Sequence, residues 1–573
     1  MIFIDMRIDK IKILTGILFL ILTGGVFYLQ VVKGGFYYSL SVKNCIRVMP
    51  LEGIRGRIMD SSGRVLVDNQ MSYNIAVIPY ELKKNPKTIS ELAGLLNKSV
   101  PRIKKEIEKG FISSFSPIIV VKDADKKTAI LIEENKFRLP GVTVRILPKR
   151  QYPYYDLAGH VIGYLGKIDS WRITRLRDYG YKSKDVVGFG GIEESLEPAL
   201  RSKEGGTQIQ VDHRGRMNKI ISFRPPLNGQ DVYLTIDIRI QKIVEEALIN
   251  KKGAAVLMEP ESGKIIALAS SPGFYPGAFM EEGSSAYVQD VLSSPDSPMI
   301  NRSISGQYPL GSVFKAVSAA AAVEKKKIIP ARRFFCPGKL SVGIKEFNCW
   351  STHDSQDLIE AITHSCNVYF YHLALLLGPD ILTDYALKFG LGRQSGIDLP
   401  YEASGYVPSV SKRKMKLRSW YDGDTANFGI GQGDLLVTPL QSARLMAVFA
   451  NGGKLVKPYI VGRIGPEEIK PEEGADLGIA QGAIKAVNEG LRRVVNSETG
   501  TANIGSWGNL KVAGKTGTAQ VYNKLSHGWF SGFLPYDKPR IAFCVFLENT
   551  GMSIHSVVLA NQIFSRLREE KLI

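Results

Sequence analysis

Tyr308-Pro-Leu-Gly-Ser312-Val-Phe-Lys315-Ala-Val-Ser-Ala-Ala-Ala-Ala322 is a turn that runs directly into an alanine-rich helix. Pro309 and Gly311 favour the turn, and alanine is the best helix former, so Ser312 falls at or just inside a helix start. Residues three apart share a helix face, which brings the Lys315 amine toward the Ser312 hydroxyl. A serine becomes a good nucleophile only when a base takes its proton, and a lysine can be that base only where desolvation or a nearby cation lowers its pKa. The free N–H groups and positive dipole end of the helix suit a carbonyl oxygen that gains negative charge. The bland alternative is a capping serine followed by a solvated lysine, and the pair alone does not decide between them.

Two further elements do. Ser365-Cys366-Asn367 and Lys515-Thr516-Gly517 follow in that order. With Ser312-x-x-Lys315 they resemble the three-motif set of penicillin-binding proteins and serine β-lactamases. Around them, Gln241 to Asn250 reads as a helix, and Gly253 to Met258 and Lys264 to Ala269 read as strands across a Glu261-Ser-Gly263 turn. A helical region reaches to about Phe389, and a hairpin is expected between Leu510 and Asn549. Strands, then helices, then strands predict a mixed sheet with helices packed on it. That order resembles the α/β fold of serine β-lactamases and penicillin-binding transpeptidases, assigned here to residues 234–573. The boundary follows the Pro225-Pro226 and Asn228-Gly229 turn signals.

Toward the N-terminus, Ile13 to Val32 is a run of 20 residues without a charge. At about 1.5 Å per residue it spans roughly 30 Å, enough for one transmembrane helix. A cleaved signal peptide is the alternative, but no small-x-small pattern follows the run. Residues 1–12 are then a cytoplasmic tail, although Arg7, Lys10 and Lys12 before the run and Lys33, Lys43 and Arg47 after it favour that orientation only weakly. About 540 residues lie beyond the anchor, enough for two or more domains. The formal net charge of +19 suits anionic lipid headgroups and wall polymers. The lysines are dispersed and no nucleic-acid motif is present, which excludes nucleic acid as the expected partner.

Residues 33–233 are expected to form a non-catalytic, mostly-β pedestal. Arg55 to Asn69 reads as strand, Ser62-Gly63 turn, strand. Residues 82–135 form a lysine-rich helical lobe, in which Thr88-Ile-Ser-Glu91 reads as a capping box and Pro101 and Gly110 bracket a short helix. Arg150-Gln-Tyr-Pro153, Gly159-His160-Val-Ile-Gly163, Gly188-Phe-Gly-Gly-Ile-Glu193 and Val211-Asp212-His-Arg-Gly215-Arg216 follow. His160 has no partner in sequence and is expected to be structural.

These segments are similar to the pedestal of class B penicillin-binding proteins, the monofunctional peptidoglycan transpeptidases. The resemblance runs from Arg55 to Asn549 and includes Phe389-Gly-Leu-Gly392, Ser395-Gly-Ile-Asp398-Leu-Pro400, Asn427-Phe-Gly-Ile-Gly431-Gln-Gly433, Thr438-Pro-Leu-Gln441 and His527-Gly-Trp-Phe530-Ser-Gly532. Departures are Leu310 in place of proline, Glu259 in place of aspartate, and Asp354 where glycine often follows the histidine. The fold implied is a membrane-anchored, multidomain α+β protein with one N-terminal transmembrane helix, an elongated pedestal and a C-terminal transpeptidase domain. Leu139-Pro-Gly-Val142 ahead of Arg150 resembles the elongation-type branch rather than the division type.

The resemblance implies roles. Ser312 attacks the penultimate D-alanine carbonyl of a stem peptide and Lys315 accepts its proton. Ser365 relays protons, Asn367 holds the substrate amide, and Lys515 binds carboxylate charge. Backbone N–H groups of Ser312 and Thr518 make the oxyanion hole, and the Thr516 and Thr518 hydroxyls meet the terminal carboxylate. Gly517 fits a strand that lets a substrate backbone approach. No cofactor is needed for this chemistry. The implied partners are peptidoglycan stem peptides, β-lactams, the membrane, and a multispanning polymerase of glycan strands. The implied location is the cell (inner) membrane, single-pass, with the catalytic domain extracytoplasmic or periplasmic.

Cysteine placement raises a separate question. Cys336, Cys349, His353 and Cys366 fall within 31 positions, between the Ser312 and Ser365 elements. Three cysteines and a histidine can form a tetrahedral structural zinc site. A Cys336–Cys349 disulfide and plain buried thiols are the other two readings. Three functions compete: a D,D-transpeptidase, a hydrolase such as a D,D-carboxypeptidase, and a non-catalytic β-lactam receptor or scaffold. The pedestal, which lifts the site from the membrane, disfavours the hydrolase, and retention of all three motifs disfavours the scaffold.

Overall fold

The computed structural model describes residues 2–573 apart from 112–113, 115, 177–180, 182–184, 212–216, 416 and 522. Most of the Val211 to Arg216 motif therefore lies outside the described residues. Helix Ile2–Phe27 continues through a π-helical turn, Tyr28–Val32, and Lys10 to Val32 is long and apolar enough to cross a membrane. None of its most apolar stretch is buried against the rest of the described residues, which is consistent with a single-pass membrane anchor.

Beyond it the chain forms two compact units that are interleaved in sequence. One comprises residues 1–55, 69–149 and 201–229; the other comprises 56–68, 150–200 and 230–573. Residues 56–68 and 150–200 group with residues 230–573 in the second unit. The first unit contains an antiparallel sheet of Ile46–Leu51, Gly205–Val211 and Met217–Arg224. It also holds the lobe expected at 82–135, which is mixed rather than all-helical. Helices Pro79–Lys84, Lys87–Leu95, Val100–Gly110 and Lys126–Glu134 enclose strand Ile118–Ala124 around a core that includes Val77, Leu92, Ile103 and Ile132. Thr88 is not the cap expected of it. Pro86, with φ −60°, already stands at the N-cap, and Thr88 is buried inside the helix with its N–H on the Asn85 carbonyl.

In the second unit the expected mixed sheet is antiparallel and five-stranded. Its strands are β1 (Gly253–Met258), β2 (Ile265–Ser271), β3 (Ala513–Val521), β4 (Lys524–Leu534) and β5 (Ile541–Leu547), in the order β2-β1-β5-β4-β3. The late hairpin is thus three strands, with β3 at an edge. Side chains alternate across a strand, and this sheet uses both faces. Ser531 and Cys544, paired in register, face Ser442 of helix α4 (Pro439–Ala450). Their neighbours Phe530 and Phe543 face the other way, and Phe543 meets Phe564 of helix α5 (Ile554–Glu569). Such double coverage explains why β1 and β5 are buried at every residue.

The Ser312 turn is a 3-10 segment, Gly311–Phe314, that opens into α1 (Lys315–Glu324). Ala316 to Ala322 are all buried, so the alanine run suits a central helix that must be approached closely from every side. Helix α2 (Asn367–Lys388) packs beside it and kinks where Gly378 leaves helical geometry before Pro379. Helix α3 (Asp422–Gly429) lies against α2.

Two of the quoted motifs meet as a buried ion pair. Arg150 Nε lies 2.8 Å from Glu193 Oε1, with side chains 3% and 0% exposed, and Arg150 also donates to the Gly56 carbonyl at 2.7 Å. Replacing Arg150 with methionine leaves Glu193 buried without its cation and is expected to destabilise this unit by about 3–5 kcal/mol. Urea unfolding checks this, and the Arg150→Met, Glu193→Leu double variant is expected to recover most of the loss.

Candidate active site

The Ser312 turn is held from three sides. Tyr308 exchanges backbone hydrogen bonds with Val437, both at 2.9 Å, and its hydroxyl donates to Glu548 at 2.5 Å. Burial, reinforced by Glu548, raises the Tyr308 pKa, so the phenol keeps its proton. Trp529 Nε1 of β4 donates to the Pro309 carbonyl at 2.9 Å. Gly311, at φ +60°, is where the chain reverses, and only glycine adopts that geometry without strain.

The Ser-x-Asn element sits at a junction of two helices. Helix Leu358–Thr363 ends at His364, Ser365 takes the left-handed conformation at φ +53°, and Cys366 caps α2 by accepting from the Tyr369 N–H. This turn aims Ser365 and Asn367 at the Lys315 amine. Lys315 Nζ donates to the Ser365 carbonyl at 2.8 Å, to Ser365 Oγ at 3.2 Å and to Asn367 Oδ1 at 2.7 Å. Those acceptors satisfy the three donors of an ammonium, and the Ser312 hydroxyl is not among them. The i,i+3 pairing expected from sequence therefore gives way to pairing with residues 365 to 367.

Lys515 of β3 approaches from the opposite side. Its Nζ donates to Ser365 Oγ at 2.9 Å and to the Thr516 carbonyl at 3.2 Å. Both lysines are 0% exposed. Burial lowers the Lys315 pKa to about 8, against the negative charge that Cys349 and Cys366 can carry, which raises it. Burial, then the Lys315 charge, lowers Lys515 well below the ordinary lysine range. One hydroxyl thus bridges two amines that resist carrying two protons at once, an arrangement suited to moving a proton.

The remaining expected residues lie on β3. Thr516 is only 4% exposed, and its hydroxyl shares a hydrogen bond with Thr501 Oγ1 at 2.9 Å. Thr518 Oγ1 donates to Ser553 Oγ at 3.2 Å. A Cβ on Gly517 would stand 2.9 Å from the Leu310 carbonyl and 3.0 Å from a Val313 methyl, so this glycine makes room for the Ser312 turn. Thr501 and Glu548 are the groups that motif reading missed. Both lie outside the three motifs, and the spacing of those motifs carries no trace of them.

Cys336, Cys349, His353 and Cys366 also converge, with ligand atoms all within 4.8 Å of one another. None of Cys336, Cys349, Cys366 and Cys544 is in a disulfide, so the Cys336–Cys349 bridge is not formed. Cys349 Sγ accepts from the Asn367 N–H at 3.1 Å, which joins the cluster to the Ser365-Cys366-Asn367 turn. Hydrogen bonds from Cys366 and from backbone N–H groups hold the Cys349 pKa far below the usual thiol range. His160, by contrast, is half-buried with Nε2 on the Pro298 carbonyl at 2.6 Å, and loss of hydration lowers its pKa to about 4. It is a neutral structural group, as expected.

Residues 253–569 match the penicillin binding protein transpeptidase domain, and residues 50–234 match the penicillin-binding protein dimerisation domain. The peptidoglycan D,D-transpeptidase MrdA of Haemophilus influenzae is 30% identical, over 98% of this chain and 91% of its own length. Among solved structures, PBP2 of Helicobacter pylori in its complex with MreC superposes with a TM-score of 0.82 at 26% identity, covering 92% of this chain and 99% of that one. A chain from a structure titled for the coordination of polymerization and crosslinking by a peptidoglycan synthase complex has a TM-score of 0.74 at 27% identity, covering 98% of each chain.

Proposed function

The chain belongs to the penicillin-binding protein transpeptidases, and from that premise we propose that Ser312 is the nucleophile with which it cross-links peptidoglycan stem peptides. The observation that carries this assignment is the convergence of the Lys315 and Lys515 amines on the Ser365 hydroxyl, with Lys315 three residues after Ser312. Neutral Lys315 takes the Ser312 proton as Oγ attacks the penultimate D-alanine carbonyl. The carbon–nitrogen bond to the terminal D-alanine breaks, and the leaving amine receives a proton through Ser365. An amine of a second stem peptide then attacks the acyl ester, the Ser312 carbon–oxygen bond breaks, and the serine regains its proton. β-Lactams acylate the same serine.

Substrate binding sets the protonation state. A terminal carboxylate near the Thr516 and Thr518 hydroxyls favours the charged form of Lys515. The proton shared by the two amines then resides on Lys515, which leaves Lys315 free as base. Asn367 Oδ1 and the backbone N–H groups of Ser312 and Thr518 supply the polar contacts for the substrate amide and the oxyanion.

The Lys10 to Val32 helix supports a single-pass anchor in the cell membrane, with the catalytic unit on the extracytoplasmic side where peptidoglycan lies. Resemblance to the MreC-bound and synthase-complex structures supports an elongation role beside an MreC-like scaffold and a polymerase of glycan strands.

The four-residue cluster fits a structural zinc. Zinc bound tetrahedrally, about 2.3 Å from sulfur and about 2.05 Å from a ring nitrogen, separates the two ligand atoms by roughly 3.6 Å. Cys336 Sγ and Cys349 Sγ stand 3.6 and 3.5 Å from His353 Nδ1. Zinc there would tie Cys366, and the Asn367 N–H that Cys349 accepts, into one rigid body. The chemistry needs no cofactor.

Three measurements follow. Full-length protein in detergent is expected to gain one benzylpenicillin adduct by intact mass, and Ser312→Ala to gain none. A folded wild type without an adduct would overturn the assignment. The acylation rate should fall about tenfold per pH unit below pH 8 and level off above it, because only the neutral amine of Lys315, whose pKa is about 8, accepts a proton. Lys315→Arg, protonated at every such pH, should lose about 10²–10⁴-fold without that pH dependence. Elemental analysis is expected to find one zinc per chain in the wild type and loss of zinc with a lower melting temperature in Cys349→Ser. Metal-free wild type with a full count of reactive thiols would sink the zinc reading.

A further inference from the structure

The segment Asn427-Phe-Gly-Ile-Gly431-Gln-Gly433 runs out of helix α3 and lies against the Ser312 turn. In the structure it joins the two parts of the site that must receive negative charge. Gly431 accepts the Gly311 N–H on its carbonyl at 2.9 Å, directly behind Ser312. The next residue, Gln432, reaches across the cleft, and its Nε2 donates to the Thr518 carbonyl at 3.0 Å.

Within a β-strand the N–H and C=O of one residue point to the same side. Strand β3 is an edge, and the Thr518 carbonyl is turned away from β4 toward Gln432 and the Gly311 turn. The Thr518 N–H therefore faces the same open side, toward Ser312. Fixing the carbonyl direction fixes the N–H direction, because both are set by the backbone angles of this one residue.

Close packing leaves the frame little slack. A Cβ on Gly431, at φ +74°, would lie 2.2 Å from the Gly311 carbonyl oxygen, and one on Gly311 would lie 2.9 Å from the Thr518 oxygen. Gln432 is itself tied down, since its N–H donates to the Asn427 carbonyl at 3.0 Å at the end of α3. One dipeptide thus holds one oxyanion donor through its backbone and the other through its side chain.

We propose that Gln432 is a positioning residue for acylation, which orients the Thr518 N–H toward the oxyanion while Gly431 seats the Ser312 turn. This inference rests on the assignment of Ser312 as the nucleophile. A residue that only filled space would affect stability and substrate affinity alike; an orienting residue affects the step in which charge develops on oxygen.

The test uses full-length protein in detergent with Gln432→Met and Gln432→Glu, both of glutamine's length and neither a donor at neutral pH. The expected result for each is a limiting benzylpenicillin acylation rate lowered about 10–100-fold, as for a weakened oxyanion donor, with the half-saturating concentration within about twofold of wild type. Affinity for a peptidyl boronic acid, whose tetrahedral adduct places an oxygen in the same hole, should fall by a similar factor. Acylation and boronate affinity both within about twofold of wild type in a folded variant would overturn the inference, as would a change in half-saturation equal to that in rate. A wild type that forms no adduct would instead overturn the Ser312 assignment, and the inference with it.

Discussion

Two buried amines that share one hydroxyl cannot both keep a proton cheaply, and the catalytic unit is organised around that constraint. Lys315 and Lys515 each donate to Ser365 Oγ, so their nitrogens lie within about 6 Å of each other, where two full charges repel by roughly 3 kcal/mol at an effective dielectric of 20. That repulsion corresponds to about two pKa units and adds to the loss of hydration. Each lysine enters from a different rigid element, one from the central helix α1 and the other from the edge strand β3, and Ser365 enters from the turn before α2. None of the three can relax outward, because each element is packed from behind. Poise of the proton is therefore a property of the packing and not of any one side chain.

Close backbone approach is the second constraint. The Ser312 turn lies against β3 at a distance that a side chain on Gly517 would forbid, and it leans on the Gly431 loop at a distance that a side chain on Gly431 would forbid. Small residues along α1 extend the same principle inward. The alanine run reads from sequence as helix propensity, yet its larger consequence is that neighbouring elements can close on a helix with almost no side-chain bulk.

Sequence and structure agree where chemistry is written in local spacing. Lys315, Ser365, Asn367 and Lys515, drawn from three short motifs, meet through hydrogen bonds, and β1, β2 and helix Val100–Gly110 fall where their patterns place them. Long-range pairings leave no such trace. Tyr308 and Glu548 are separated by 240 positions and Thr501 and Thr516 by 15, with nothing in either neighbourhood to announce the partner. Thr88 misled for a local reason, since a proline two residues earlier had already set the helical φ. The interleaving of the two units is also invisible to a linear reading. Arg150 and Glu193 pair across 43 positions within residues 150–200, a pairing that appears only once the chain is folded.

The cysteine cluster is joined to the Ser365 turn through its sulfurs. Ser365 occupies a left-handed conformation that a residue with a Cβ adopts only when its surroundings impose it. On one side of it helix Leu358–Thr363 is anchored by the Asp357 and Glu360 capping box. On the other side the chain is held by sulfur, as Cys366 accepts the Tyr369 N–H and Cys349 accepts the Asn367 N–H. Hydrogen bonds to sulfur are long and individually weak, so holding a strained turn with them requires the sulfurs themselves to be fixed. Cys336 and His353 stand within reach of Cys349 for that purpose. Whatever locks these four side chains together also locks the direction in which Ser365 presents its oxygen to the two lysines.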